Sequence, residues 1–223
     1  MTRLLPHTEW LKDSLDLRDA LVFEDPFMIV LEKATGVLSQ PGLGKGQYDS
    51  LVVRAQQQWP TARIVHRLDR DTSGLIVLAL DAVTHRSLSQ QFAERKVKKI
   101  YQALVAGVLE SQRGILDAPI RKKNHRPPRY CVDTARGRDA TTQWKVLHQY
   151  PRVARIELRP VTGRSHQLRV HMEYMGHPIL GDPLYGTRAS HKSFSRLALH
   201  ATELALMHPH TGQWMRWSSP QPF

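Results

Sequence analysis

The stretch His66-Arg67-Leu68-Asp69-Arg70-Asp71-Thr72-Ser73-Gly74 runs straight into Leu75-Ile76-Val77-Leu78-Ala79-Leu80. The second part is an unbroken apolar run, the pattern of a buried strand. The first part sets Asp69 and Asp71 among Arg67 and Arg70 and ends on Thr-Ser-Gly. A charged turn feeding a core strand is a rigid place to hold one reactive carboxylate. Taken by charge alone, the same residues make an ordinary turn with surface ion pairs. An aspartic-protease reading fails, because neither Asp is directly followed by Thr-Gly or Ser-Gly and no second copy supplies the required carboxylate pair.

Working outward, two apolar runs, Ala20-Leu21-Val22-Phe23 and Phe27-Met28-Ile29-Val30-Leu31, flank Glu24-Asp25-Pro26, which reads as a hairpin. Residues 35–48 carry four glycines and a proline and read as a loop. Asp49 and Ser50 mark the start of a helix that runs to Trp59 and stops at Pro60. Beyond the central strand, residues 82–95 have helical spacing, and Ile100 to Ala106 has the pattern of a strand. The strongly basic residues 121–138 read as an exposed loop. Strands are expected over 141–150 and 152–159, a helix over 165–175 ended by Gly176, and closing strands over 197–207 and 213–217. Strands dominate, with helices interspersed, which predicts an α+β fold: a mixed, largely antiparallel sheet with packed helices. The expected organisation is a short extension over 1–18 and one catalytic domain over 19–223.

The chain has 223 residues, enough for a sizeable core without staples, and a formal net charge of +12. That excess suggests a polyanionic partner. The single cysteine, Cys131, allows no internal disulfide, and a reducing cytoplasm is the simplest compartment. No secretory leader or membrane-spanning run is read. His166, His171 and His177 lie near one another but form no metal-ligand motif, so no metal is expected.

Four separated segments share one resemblance. They are His66 to Gly74, then Lys98-Lys99-Ile100-Tyr101, then Thr162-Gly163-Arg164-Ser165-His166-Gln167-Leu168-Arg169-Val170-His171, and finally Gly176-His177-Pro178-Ile179-Leu180-Gly181-Asp182 with Leu199-His200-Ala201. In this order the chain resembles the RluA-type pseudouridine synthases from about residue 20 to 220, with their elements H-R-L-D-x-x-T-S-G, K-x-Y and T-G-R-x-H-Q-L-R. The resemblance implies isomerisation of a uridine within RNA to pseudouridine, with no cofactor.

It places Asp69 on the catalytic aspartate. A carboxylate held dry and ionised can act as a nucleophile or as a base. Attack on the ribose, addition to the base and removal of a ribose proton all stay open. It implies that Arg169 pairs with this carboxylate and keeps it charged, and that Tyr101 stacks on the flipped uracil or helps move the C5 proton. Arg67, beside Asp69, is expected to fill the gap that the flipped base leaves. Arg164, at the expected helix start, suits a phosphate. Lys98 and Lys99 are expected on an RNA-facing edge. His66 reads as a structural turn residue within the same RNA-binding set. The run from Arg121 to Arg129 can track a phosphate backbone or be a solvated loop.

Two departures from the family pattern stand out. Many relatives carry N-K-P-x-G after the first hairpin, where this chain has Glu32-Lys33-Ala34-Thr35-Gly36. The missing proline predicts a less rigid loop with little effect on catalysis, since the reactive residues lie elsewhere. The residues before the first strand are too few for an S4-type RNA-binding domain, so recognition is expected from the catalytic domain itself. The compact form and wording point to the RluA branch, which implies a 23S rRNA hairpin and the tRNA anticodon loop as substrates for a monomer. The rivals are a tRNA-only synthase, a non-catalytic basic RNA-binding or ribosome-assembly factor, and a hydrolase using Asp69 and Asp71.

Overall fold

The computed structural model describes residues 17–42, 44, 47–125 and 128–223, so most of the extension expected over 1–18 lies outside the described residues. In chain order come β1 (Leu21–Glu24), β2 (Met28–Lys33), α1 (Leu51–Gln58), β3 (Arg63–Ile64), β4 (Ser73–Ala79) and α2 (Ala82–Ala93). Next are β5 (Lys98–Ala106), β6 (Arg113–Asp117), β7 (Ile120–His125), β8 (Pro128–Val132), β9 (Thr141–Gln149), β10 (Val153–Pro160), α3 (Gln167–Tyr174) and the short α4 (Arg188–Lys192). β11 (Leu199–Met207) and β12 (Trp214–Ser218) close the chain. Strands far outnumber helices and pair in both senses, the α+β class expected.

Two compact units form. The first comprises the described residues up to Lys99 together with His200–Phe223, and the second comprises Ile100–Leu199. In the first unit the strand order is β1-β2-β4-β11, with β12 on β11 and β3 on β4. All pairs are antiparallel except β4 with β11, which run parallel through Ser73↔His200 and Gly74↔Ala201. β4 is buried along its whole length, as an apolar run without alternation requires. Its Leu75, Val77 and Ala79 pack with Met28, Val30, Leu88, Leu204, Leu206 and Trp217 into one core. α2 lies on β4. Its N-terminus is capped by Asp81, whose carboxylate accepts from the amides of Val83 and Thr84 at 2.8 Å.

In the second unit the order is β5-β10-β9-β6, all antiparallel. β7 and β8 make a separate antiparallel hairpin. This corrects the expected loop over 121–138: Ile120, Tyr130 and Val132 turn inward onto Ala140, Val170 and Tyr185, and that apolar anchor holds the charged strands. The ion pair of Arg121 with Asp133 ties the hairpin's base. Among the described residues β6, which has no strand signature in the sequence, pairs only with β9. Among the described residues no helix is long and apolar enough to cross a membrane.

Candidate active site

The loop between β3 and β4 carries His66, Arg67 and Asp69. Arg67 is exposed and Asp69 is half-buried. The loop closes on itself where the amide of Thr72 donates to the carbonyl of Asp69 at 3.2 Å. It enters β4 through Gly74, whose φ of 109° lies where side chains are strained. A Cβ there would sit 2.4 Å from the carbonyl oxygen of Ala201, so only glycine lets β11 approach this closely. Beside it, Ser73 Oγ and His200 Nδ1 are 2.7 Å apart, and His200 Nε2 and Ser219 Oγ are 2.9 Å apart, all buried.

A second segment braces this loop from below. Lys33, fully buried at the end of β2, donates from Nζ to the carbonyls of Ala34 (2.8 Å), Val37 (2.8 Å) and Arg70 (3.0 Å). The Thr35 hydroxyl donates to the Asp71 carbonyl at 2.7 Å, and the Gly36 amide donates to the Arg70 carbonyl at 2.8 Å. Ser39 Oγ both donates to the Leu68 carbonyl and accepts the Leu68 amide. The carbonyls on both sides of Asp69 are therefore fixed from the segment where relatives carry N-K-P-x-G. That segment is not remote from Asp69, as expected from the sequence, but forms the bed of its loop. The buried lysine and the two hydroxyls supply bracing that does not depend on a proline.

At the front of the loop His66 is structural. Its Nε2 accepts the amide of Val77 at 3.2 Å and its ring stacks on Phe92 with centroids 4.4 Å apart. Burial, followed by the charge of Lys99, pushes its pKa down to about 3, so the ring is neutral at pH 7. Lys99 lies 5.9 Å from the Phe92 ring centre, with its own pKa lowered by burial. Lys98 lies 5.4 Å from the Trp214 ring centre and is exposed. His66, Phe92 and Lys99 thus form one cluster beside the Asp69 loop.

Tyr101, Arg164 and Arg169 belong to the second unit. Tyr101 is a half-buried residue of β5, opposite Leu158 of β10. Arg169 lies on α3, which begins at Gln167 rather than at 165, because His166 takes the left-handed conformation (φ 57°) and cannot start a right-handed turn. Arg164 therefore precedes the helix. Its Nε donates to the carbonyl of Asp139 at 2.9 Å and its amide to Gln167 Oε1 at 3.0 Å. Gln167, 4 % exposed, also accepts the Thr162 hydroxyl and donates to the Thr141 carbonyl and the Thr142 hydroxyl. Much of the T-G-R-x-H-Q-L-R element is thus a polar lock that seats α3 on β9. His171 completes it, between the Thr142 hydroxyl at 2.8 Å and the Ala118 carbonyl at 2.9 Å, with its pKa lowered by burial.

Arg169 is 2 % exposed and holds Asp182, which is fully buried, through Nε and Nη2, both at 2.8 Å. The carboxylate also accepts the amides of Leu184 and Tyr185. Burial works to raise the Asp182 pKa, but the Arg169 hydrogen bonds and charge and the two amides outweigh it, and the net shift is downward. Asp182, the buried partner of Arg169, stands in a motif, Gly176 to Asp182, in which the sequence assigns it no role. A carboxylate amid Ile-Leu-Gly and Pro-Leu-Tyr was the available signal. Among the described residues no group of three metal-ligating side chains is assembled.

The chain resembles known proteins over most of its length. The family model described as RNA pseudouridylate synthase matches residues 27–174. The chain is 43% identical over 204 residues to the dual-specificity RNA pseudouridine synthase RluA of Pasteurella multocida, covering 91% of this chain and 93% of that protein. It is 40% identical over 206 residues to the protein of the same name from Escherichia coli, with coverage of 91% and 93%. Among solved structures it resembles human RNA pseudouridylate synthase domain containing 1, with a TM-score of 0.77 at 28% identity over 92% of this chain and 84% of that one.

Proposed function

Since the chain belongs to the RNA pseudouridylate synthase family, we propose that it isomerises a uridine in a 23S rRNA hairpin loop and in the tRNA anticodon loop. The observation that carries this reading is the clamped loop of Asp69. A half-buried carboxylate in a loop whose carbonyls at Leu68, Arg70 and Asp71 are fixed by Ser39, Lys33 and Thr35 is held ready before substrate arrives. In the reaction the bond from ribose C1′ to N1 of uracil breaks, the base turns, and C1′ bonds to C5. The proton on C5 leaves to solvent and one is taken up at N1. No electron is gained or lost, so the chemistry requires no redox cofactor.

Asp69 is the reacting carboxylate in this reading. Arg67 fills the stack vacated by the flipped base, Tyr101 packs on the uracil, and Arg169 supplies a fixed positive charge. Lys98, Lys99 and Arg164 contact phosphate, with neutral His66 holding the loop that presents Arg67. The substrate pair follows the dual-specificity relatives. The protein is proposed to act as a monomer, in the cytoplasm.

The test is tritium release from C5-labelled uridine in an anticodon stem-loop and in the rRNA hairpin. Native protein should release tritium from both RNAs. Asp69→Ala and Asp69→Asn should release none while RNA binding survives. Turnover by either variant would falsify the assignment, and release from one RNA alone would correct the substrate.

A further inference from the structure

Tyr185 joins the basic hairpin to the buried arginine. Its ring, 3 % exposed, lies under two guanidinium groups, with Arg129 of β8 at 5.5 Å and Arg169 of α3 at 5.1 Å from the ring centre. Both distances are within the reach of cation–π attraction. Its hydroxyl oxygen accepts the Tyr130 amide of β8 at 2.9 Å. The same hydroxyl hydrogen-bonds His166 Nδ1 at 2.8 Å, in the direction the imidazole tautomer sets. His166 is the residue held at positive φ at the foot of α3, one of two such non-glycine residues among those described. The Tyr185 amide binds Asp182, which binds Arg169. One side chain therefore touches the hairpin by ring and hydroxyl, the start of α3 through His166, and the Arg169–Asp182 pair through both ring and backbone.

We infer that Tyr185 is a positioning residue that couples occupation of the β7–β8 hairpin to the setting of Arg169. When the cationic hairpin residues engage RNA phosphate, Arg129 shifts over the ring and the Tyr130 amide moves with β8. Both displacements reach Arg169 through Tyr185, in a packed chain with no slack. The hairpin thus contributes to turnover as well as to affinity. This inference rests on the functional reading above.

The experiment is a double-variant cycle of Arg129→Ala and Tyr185→Leu, read as kcat at saturating anticodon stem-loop and, separately, as RNA affinity. A residue that only touches phosphate changes KM. If Tyr185 couples the two, Arg129→Ala lowers kcat as well, by about two- to thirtyfold, the span of couplings carried through packed side chains. That kcat effect disappears in the Tyr185→Leu background while the affinity effect remains. Tyr185→Phe keeps the ring and loses the hydroxyl, so it serves if Leu unfolds the unit, and it must also shrink the coupling. A kcat unchanged by Arg129→Ala, or lowered equally with and without Tyr185, overturns the inference. The Nε–H resonance of Arg169 reads the same cycle without turnover, shifting on Arg129→Ala only when Tyr185 is present. A wild-type protein that is inactive on every RNA but keeps this pattern would sink the functional reading and leave the coupling standing.

Discussion

Replacing Asp182 by Asn removes a negative charge and almost no volume, so its effect isolates the electrostatics of the buried pair. The amide oxygen can take the place of Oδ1 and keep Arg169 Nη2 and the amides of Leu184 and Tyr185. The amide nitrogen then faces Arg169 Nε–H, donor against donor, where the native carboxylate accepts at 2.8 Å. Arg169 cannot escape by losing its proton, because a guanidinium stays charged in proteins. A buried charge stripped of its partner costs about 3–5 kcal/mol. For a chain of this length that lowers the melting temperature by about 6–20 °C. Thermal denaturation followed by circular dichroism at pH 7 measures it. The pH dependence adds a second check. The folded pKa of Asp182 lies below its ordinary value of 3.8, so its contribution is complete above that pH and is lost as pH falls through the folded pKa. The gap between wild type and Asp182→Asn should be constant from about pH 5 to 8 and narrow below pH 4. A variant that melts with the wild type, or a gap that widens in acid, would refute the argument.

Three other outcomes follow from the first unit. Lys33→Met removes three charge-assisted hydrogen bonds and should cost about 2–3 kcal/mol in urea unfolding, with turnover falling further than RNA affinity; unchanged turnover would mean the brace is irrelevant to the Asp69 loop. Gly74→Ala combines a strained φ with a Cβ forced against Ala201 and should cost about 2–6 kcal/mol, seen as lost soluble yield or a lowered unfolding midpoint. His66 should keep a flat NMR titration from pH 5 to 8, since its folded pKa is near 3. Because that lies below the ordinary 6.5, the ring opposes folding progressively as pH drops from 6.5 toward 3, and an inflection near neutrality would contradict its packing on Phe92.

Local chemistry was readable where one residue's surroundings decide its conformation. β4 follows from its apolar run, α2 from its helical spacing, and the β1–β2 hairpin from Asp25-Pro26 between apolar stretches. The hairpin over 120–132 was not readable, because its strands are mostly solvated and show no alternation. What makes them strands is backbone pairing and a few inward residues resting on Val170 and Tyr185. β6 is an edge strand with Ile115 67 % exposed and Gly114 as its second residue, so it carries neither a buried face nor strong propensity. Ser165 resembles a helix cap, yet α3 starts later because His166 is held left-handed by Tyr185, a partner 19 residues away. The roles of Lys33 and Asp182 were hidden for the same reason: a lysine before a loop and an aspartate after a glycine take their meaning from partners 37 and 13 residues distant.

The parallel pairing of β4 with β11 joins residues 127 positions apart, Ser73 with His200. During synthesis the ribosome makes β4 early and must then produce the whole of the second unit before β11 emerges. At ordinary translation rates that interval is on the order of ten seconds. Throughout it, β3 covers only Leu78 and Ala79 on that side of β4 while the Ser73–Gly74 end awaits β11, and an unpaired edge is a template for pairing with other chains. The nascent protein is therefore most exposed to misassembly after its Asp69 loop has been translated and before its last two strands exist, and chaperone demand should peak in that window.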